Sequence, residues 1–189
     1  LWNLRWMLAM QDPHDGGVYH KLTTADFEGM VVPEAARGQR YVVQKSTAAT
    51  LDFAAVMAQA SRVFRTFDDA LPGLADSTLA AALAAWQWAQ HHPDAVYDQG
   101  ALNEAHDPDI NTGAYGGRDV SDEWAWAAAE LYVTTRADSF YTAMPRSEET
   151  PLPSWGQVGT LGLYTLARFR DTLTTAASAG LPELERRLI

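Results

Sequence analysis

Ser46-Thr-Ala-Ala-Thr-Leu-Asp-Phe-Ala-Ala-Val-Met-Ala-Gln-Ala-Ser-Arg-Val-Phe-Arg-Thr-Phe67 is the stretch on which the fold turns. Ser46 is a good helix cap, and Phe53, Val56, Met57, Ala60, Val63, Phe64 and Phe67 then fall on one stripe at helical spacing. Ala54, Ala55 and Ala58 widen that stripe, which predicts a helix buried on two sides against closely approaching neighbours.

Downstream, a helix is expected to begin near Ser77, with Leu79, Leu83 and Trp86 on one face, and to end at His91-His92-Pro93. Asp94 to Val120 then reads as a long loop rich in Asp, Asn, Gly and His. A further helix opens at Ser121 with Asp122 and Glu123 in its first turn and runs through Trp124, Ala128 and Leu131. A short one is expected at Ala137 to Ala143, followed by a proline-rich break from Pro145 to Pro153. Ser154-Trp155-Gly156-Gln157 fits a capping box, and Val158, Leu161, Thr165 and Phe169 continue one face of the helix it would start. Gly180 and Pro182 mark one more start.

Upstream, Leu1 to Gln11 places Trp2, Trp6, Met7 and Met10 near helical spacing and is stopped by Asp12-Pro13. Asp12 to Lys45 is too long for an ordinary connection and carries two β-prone runs, Val18 to Thr23 and Arg40 to Gln44. Helices alternating with long loops, and no succession of strands, predict an all-α array of helical hairpins in one domain. The opening residues are helical in period with no leader ahead of them, so the chain is expected to be an internal segment of something longer.

The chain has 189 residues, 47% of them apolar, enough for a genuine core. Twenty-four acidic against fourteen basic residues give a net charge of −10, which argues against nucleic acid or an anionic membrane and leaves a neutral ligand such as a sugar open. The absence of cysteine removes disulfides and thiolate metal sites.

Three segments in order carry a family resemblance: Asp15-Gly-Gly-Val-Tyr-His-Lys-Leu-Thr23, Ser46-Thr-Ala-Ala-Thr-Leu-Asp-Phe-Ala-Ala55, and Thr112-Gly-Ala-Tyr-Gly116 followed by Asp122-Glu-Trp-Ala-Trp-Ala-Ala-Ala-Glu-Leu-Tyr132. With the Trp86-Gln-Trp-Ala89 helix and Trp155-Gly-Gln-Val-Gly-Thr-Leu-Gly162, they resemble glycoside hydrolase family 9, the cellulase family. The resemblance implies about half of an (α/α)6 barrel, a six-hairpin toroid, with the long loops at its cleft end, over residues 1–189. It implies inverting hydrolysis of β-1,4-glucans or cello-oligosaccharides by two carboxylates. The family's Asp-Ala-Gly-Asp motif, its His-Arg segment and its acid Glu are all absent, so no catalytic residue is assigned and the segment alone is expected to be inactive. The remaining hairpins of the same domain are expected partners, and a secreted or periplasmic location is implied. A non-catalytic glycan-binding toroid and another (α/α) barrel sugar enzyme are the alternatives.

Candidate residues follow from the same resemblance. Tyr115 and Trp155 correspond to cleft aromatics that stack on sugar, although Trp155 could equally be a capping aromatic packed on the next hairpin. His20 and Phe27 lie where the family carries a His and aromatics near its glucose sites, against the alternative of a hydrogen-bonded structural loop His. Asp122 and Glu123 match a pair that binds a structural calcium in several members, the alternative being acids at a helix N-terminus. Arg118 stands where that family has a ligand. His91, His92, His14 and His106 lack the arrangement for zinc, and Asp12-Pro-His-Asp15 and Glu104-Ala-His-Asp107 receive no catalytic role.

Overall fold

The computed structural model describes residues 1–147, 149–180, 182–183 and 186. Eight α-helices in that part are α1 (Trp2–Ala9), α2 (Thr47–Phe64), α3 (Leu74–His91), α4 (Gln99–Ala105), α5 (Ser121–Thr135), α6 (Asp138–Ala143), α7 (Gly159–Arg168) and α8 (Thr175–Ser178). Strands are confined to a two-residue antiparallel ladder, β1 (Leu22–Thr23) with β2 (Tyr41–Val42), inside the first long loop and within the two β-prone runs.

The long central stripe folds as its sequence requires. Ser46 Oγ accepts the Ala49 N–H at 3.2 Å, and Leu51, Phe53, Met57 and the interleaved alanines are buried. Ala54, Ala55 and Ala58 of α2 meet Ala82, Ala85 and Ala89 of α3 and Ala127 and Ala128 of α5 in one core. With only a methyl group at those positions, the backbones approach closely and dispersion contacts accumulate across the seam.

Hydrogen bonds at helix ends fix the directions. Thr47 Oγ1 donates to the His92 carbonyl at 2.6 Å, so the start of α2 lies beside the end of α3 and the two are antiparallel. Arg62, near the end of α2, reaches Glu130 and Thr134, late in α5, while Asp122, at the start of α5, reaches Val158 at the start of α7. The helices α2, α5 and α7 therefore run in parallel as a row, with α3 returning alongside. Their N-termini, and the long loops ahead of them, all open at one end.

Several expectations need correction. The third helix starts at Leu74, not near Ser77, because Gly73 at φ 74° makes a sharp left-handed entrance and Leu74 is already packed. The Asp94–Val120 loop contains α4, capped by Asp98 through the Ala101 N–H at 3.1 Å; it buries no residue, so no apolar stripe announces it. Ser154–Gln157 is a tight turn rather than a capping box, with Ser154 N–H to Gln157 O at 3.0 Å. The helix begins only at Gly159, and its Val158 N–H is taken by Asp122 Oδ2 at 2.8 Å. A carboxylate from α5 thus does what a local cap was expected to do.

In α1 the core takes Leu4, Met7 and Leu8, leaving Trp6 half-exposed and Trp2 87% exposed. Val63 and Phe67 are likewise outside: α2 tightens into a 3-10 turn over Arg65–Phe67, which swings Phe67 off the stripe. Trp86 and Trp88 are buried scaffold as expected, Trp86 standing edge-on to Trp124 at 4.7 Å between ring centroids. The start marked by Gly180 and Pro182 lies largely outside the described residues. No helix among the described residues is long and apolar enough to cross a membrane.

Candidate functional site

Three loops converge where the row of helices opens: residues 12–45 ahead of α2, 106–120 ahead of α5, and 144–158 ahead of α7. Sugars are bound by aromatic faces and by polar groups at such places, because loops can present side chains that a packed helix must bury.

Tyr115 and Trp155 come together there. Their ring centroids are 5.6 Å apart at 42°, yet Tyr115 is 60% and Trp155 88% exposed. Two large aromatic rings from separate loops, touching each other and otherwise facing water, form a platform with an unsatisfied apolar surface. Trp155 stands on the Ser154–Gln157 turn, outside α7. Tyr115 adopts φ 55°, a left-handed conformation that an aromatic residue rarely takes. Gly116 is required, since a Cβ there would lie 2.6 Å from the Tyr97 carbonyl, and the Tyr115 ring lies over Gly113, 2.6 Å from where a Cβ would stand.

His20 lies behind this platform with both ring nitrogens engaged. Nε2 donates to the Ala114 carbonyl at 2.9 Å, which leaves Nδ1 to accept from Ser46 Oγ at 2.7 Å. Its ring stacks on Tyr97 at 4.4 Å, and burial lowers its pKa, so it stays neutral. It ties the loop holding Tyr115 to the start of α2. Phe27, 70% exposed, does not join the aromatic pair; it lines a separate shallow groove with Trp6, Glu28, Arg40 and Thr112.

Asp122 lines a cavity of about 260 Å³ together with Asp119, Arg146, Gln157 and Gly159, and Glu123 follows it in the first turn of α5. Across from them is Asp52, in the second turn of α2. Burial, then the charge of Asp122, pushes the Asp52 carboxyl up to about 7. Glu123 is raised to about 8 by burial, then by its hydrogen bond to Asp122 and the neighbouring charges of Asp122 and Asp52. Asp52 Oδ1 and Glu123 Oε2 are buried without hydrogen-bond partners. Carboxylates with spare oxygens are the right donor type for a hard cation. Among the described residues, however, no three His, Cys, Asp or Glu side chains meet as a set able to hold a metal ion. A cation here would need main-chain or solvent oxygens as well.

Sequence reading missed Asp52, Lys21, Tyr97 and Gln99. The signal for Asp52 was present, an acid set between Leu51 and Phe53 on an apolar helix. The others are polar or aromatic residues of loops and of the start of α4, whose convergence no periodicity reveals. Elsewhere, Asp12 and Asp15 both pair with Lys45 at 2.7 Å, and His92 stacks on Trp88 at 4.2 Å, so those clusters are structural.

Comparison with known proteins adds what the geometry cannot. A family model described as Glycosyl hydrolase family 9 matches residues 1–185. The Xyloglucan-specific endo-beta-1,4-glucanase BoGH9A of Bacteroides ovatus is 48% identical over 92% of this chain, and Endoglucanase C of Cellulomonas fimi is 38% identical over 91% of it. The chain spans 32% and 16% of those two proteins' lengths. Among solved structures, a Bacteroides ovatus GH9 enzyme superposes with a TM-score of 0.92 at 44% identity over 98% of this chain and 34% of that one. AaCel9A in complex with cellobiose-like isofagomine gives a TM-score of 0.79 at 31% identity, covering 98% and 34%.

Proposed function

The chain belongs to glycosyl hydrolase family 9, and on that premise we propose that it forms one wall of the glucan-binding cleft of an endo-β-1,4-glucanase. In this reading the helices and loops described above bind and orient a β-1,4-glucan or cello-oligosaccharide. The proton donor and the carboxylate that activates water come from the part of the fold beyond this chain. The relatives' names point to xyloglucan and related β-1,4-glucans as the substrate class. A polymer of that size implies work outside the cytoplasm.

The observation that carries the proposal is the exposed Tyr115–Trp155 pair on converging loops. A glucose ring has an apolar face of C–H bonds that an aromatic ring covers, while its equatorial hydroxyls reach polar groups at the rim. The exposed apolar face of α1, with Trp2 and Trp6, supports the remaining hairpins as its cover. Replacing Trp155 by Ala is expected to weaken cello-oligosaccharide binding by about 1–3 kcal/mol, taking base-on-aromatic stacking as the scale. Isothermal titration showing unchanged affinity would remove Trp155 from the site.

A structural calcium held by Asp122 and Glu123 is the second part of the proposal, supported by the orphaned Glu123 oxygen and the mutual repulsion of three carboxylates. A bound cation would relieve that repulsion. Calcium should then raise the melting temperature of the wild type and leave Glu123→Gln unmoved; an equal response from both would dismiss it.

A further inference from the structure

Lys21 occupies an unusual position for a cation. Its main chain is fixed in the first loop's ladder, where the Lys21 carbonyl accepts the Val43 N–H at 3.2 Å. Its side chain crosses to the start of α4 and to the loop ahead of α5. There Nζ donates to Gln99 Oε1 at 2.8 Å, to Thr112 Oγ1 at 3.1 Å and to the Gly113 carbonyl at 2.7 Å. An ammonium has three N–H donors, and all three have acceptors, so none remains for a ligand.

The surroundings are neutral. The lysine's basicity is lowered by desolvation alone, with no carboxylate acting on it. The compensating groups are carbonyl and hydroxyl dipoles and two aromatic faces, Tyr97 at 5.4 Å and Tyr115 at 6.0 Å from Nζ. The acceptors are themselves cross-braced. Gln99 Nε2 donates to the Thr112 carbonyl at 2.9 Å, Tyr97 Oη donates to Gln99 Oε1 at 3.1 Å, and Thr112 Oγ1 shares a hydrogen bond with Thr23 Oγ1 at 2.7 Å.

This web ends one residue before Ala114 and two before Tyr115, the residue held at positive φ. A left-handed aromatic persists only where its neighbours over-determine it. His20 anchors Ala114 from one side, and Lys21, its chain neighbour, anchors Thr112 and Gly113 from the other.

We infer that Lys21 is a positioning residue of the cleft: its three-way grip on Gln99, Thr112 and Gly113 sets the Tyr115 ring beside Trp155 without touching the sugar. The inference rests on the glucan-cleft reading for its consequence and on geometry for its substance. An unbranched apolar replacement, Lys21→Met, keeps most of the stem and removes the grip.

Two measurements on the intact protein test it. In Lys21→Met, hydrogen exchange of the Asn111 amide, which donates to the Ala25 carbonyl at 2.7 Å immediately before the gripped residues, should quicken by about tenfold or more while the core of α2 and α5 is unchanged, as local opening without global unfolding requires. In the same variant, cellotetraose affinity should fall about tenfold, and adding Tyr115→Ala should cost less than about twofold more, because coupled residues are not additive. Unchanged exchange of the Asn111 amide overturns the inference. So do affinity losses that simply multiply, which would mean that Lys21 and Tyr115 act independently. If the wild type binds no cellotetraose while the exchange result stands, the cleft reading fails and the positioning role survives.

Discussion

Glu123 and Glu130 lie on the same helix, two turns apart, and meet opposite fates. Glu130 is fully buried and fully matched. Arg62 Nη2 pairs with its Oε2, and Trp126 Nε1–H and Thr165 Oγ1–H donate to its Oε1 at 3.3 and 2.5 Å. Arg62 in turn donates to the Glu130 carbonyl at 3.0 Å and to Thr134 Oγ1 at 2.5 Å, and its guanidinium lies over the Phe169 ring at 5.2 Å. That network ties α2, α5 and α7 together at the end away from the cleft. Glu123, at the cleft end, faces Asp52 and Asp122 with an oxygen that nothing satisfies. One helix therefore carries a matched carboxylate at one end and, at the other, a carboxyl that burial and its acidic neighbours push up to about 8. The contrast locates where this fold concedes stability: at the loop end, where two aromatic rings are also left bare and one of them is held in a strained conformation.

The comparison breaks most visibly at Glu130. Glu130→Ala should lose about 3–5 kcal/mol in urea unfolding, since it strands a largely buried guanidinium and two further donors. A loss below about 1 kcal/mol would mean that solvent reaches the network and that the two ends do not differ.

At the other end the sign reverses. Asp52 has a folded pKa of about 7, above its unfolded value, so the folded state holds a proton that the unfolded chain gives up. Its stabilising contribution is complete below the unfolded pKa, about 4, and is lost as pH rises through about 7. In EDTA, the wild type should lose stability between roughly pH 4 and 7. Asp52→Asn should flatten that loss and be about 1–3 kcal/mol more stable at pH 8. A variant less stable than the wild type at pH 8 would show that the Asp52 charge is compensated.

The smallest effect sharpens the contrast. Trp155→Ala, expected to weaken sugar binding, should change unfolding free energy by no more than about 0.5 kcal/mol, as for surface positions that bury little. A melting temperature lowered by several degrees would make Trp155 a packing residue after all.

The site was legible in part, for reasons visible in single residues. Tyr115 and Trp155 could be picked out because the family resemblance places cleft aromatics at those positions, and the structure brings their ring centroids to 5.6 Å. Trp155 nonetheless sits on a turn where a capping box was expected. Ser and Gln at the right spacing do not make a cap when a carboxylate from another helix, Asp122, already takes the Val158 N–H. The role of Lys21 is invisible in the sequence, because its three acceptors lie 78 to 92 residues away along the chain. In α1, spacing grouped Trp2 and Trp6 with Met7 and Met10, yet only the two methionines reach the core, beside Leu4 and Leu8, while the tryptophans stay exposed.

By itself the sequence determined the helical hairpins, the alanine-lined seam and the end of the molecule that carries the long loops. Those follow from periodicity, caps and breakers within some twenty residues of one another, and the family resemblance lies in the order of the motifs. Tertiary structure alone decided which acid is matched and which is left bare, which aromatic rings face water, and which lysine holds the loop. Burial and hydrogen-bond partners belong to pairs of residues brought together by folding, and a carboxylate's chemistry depends on what folding puts beside it.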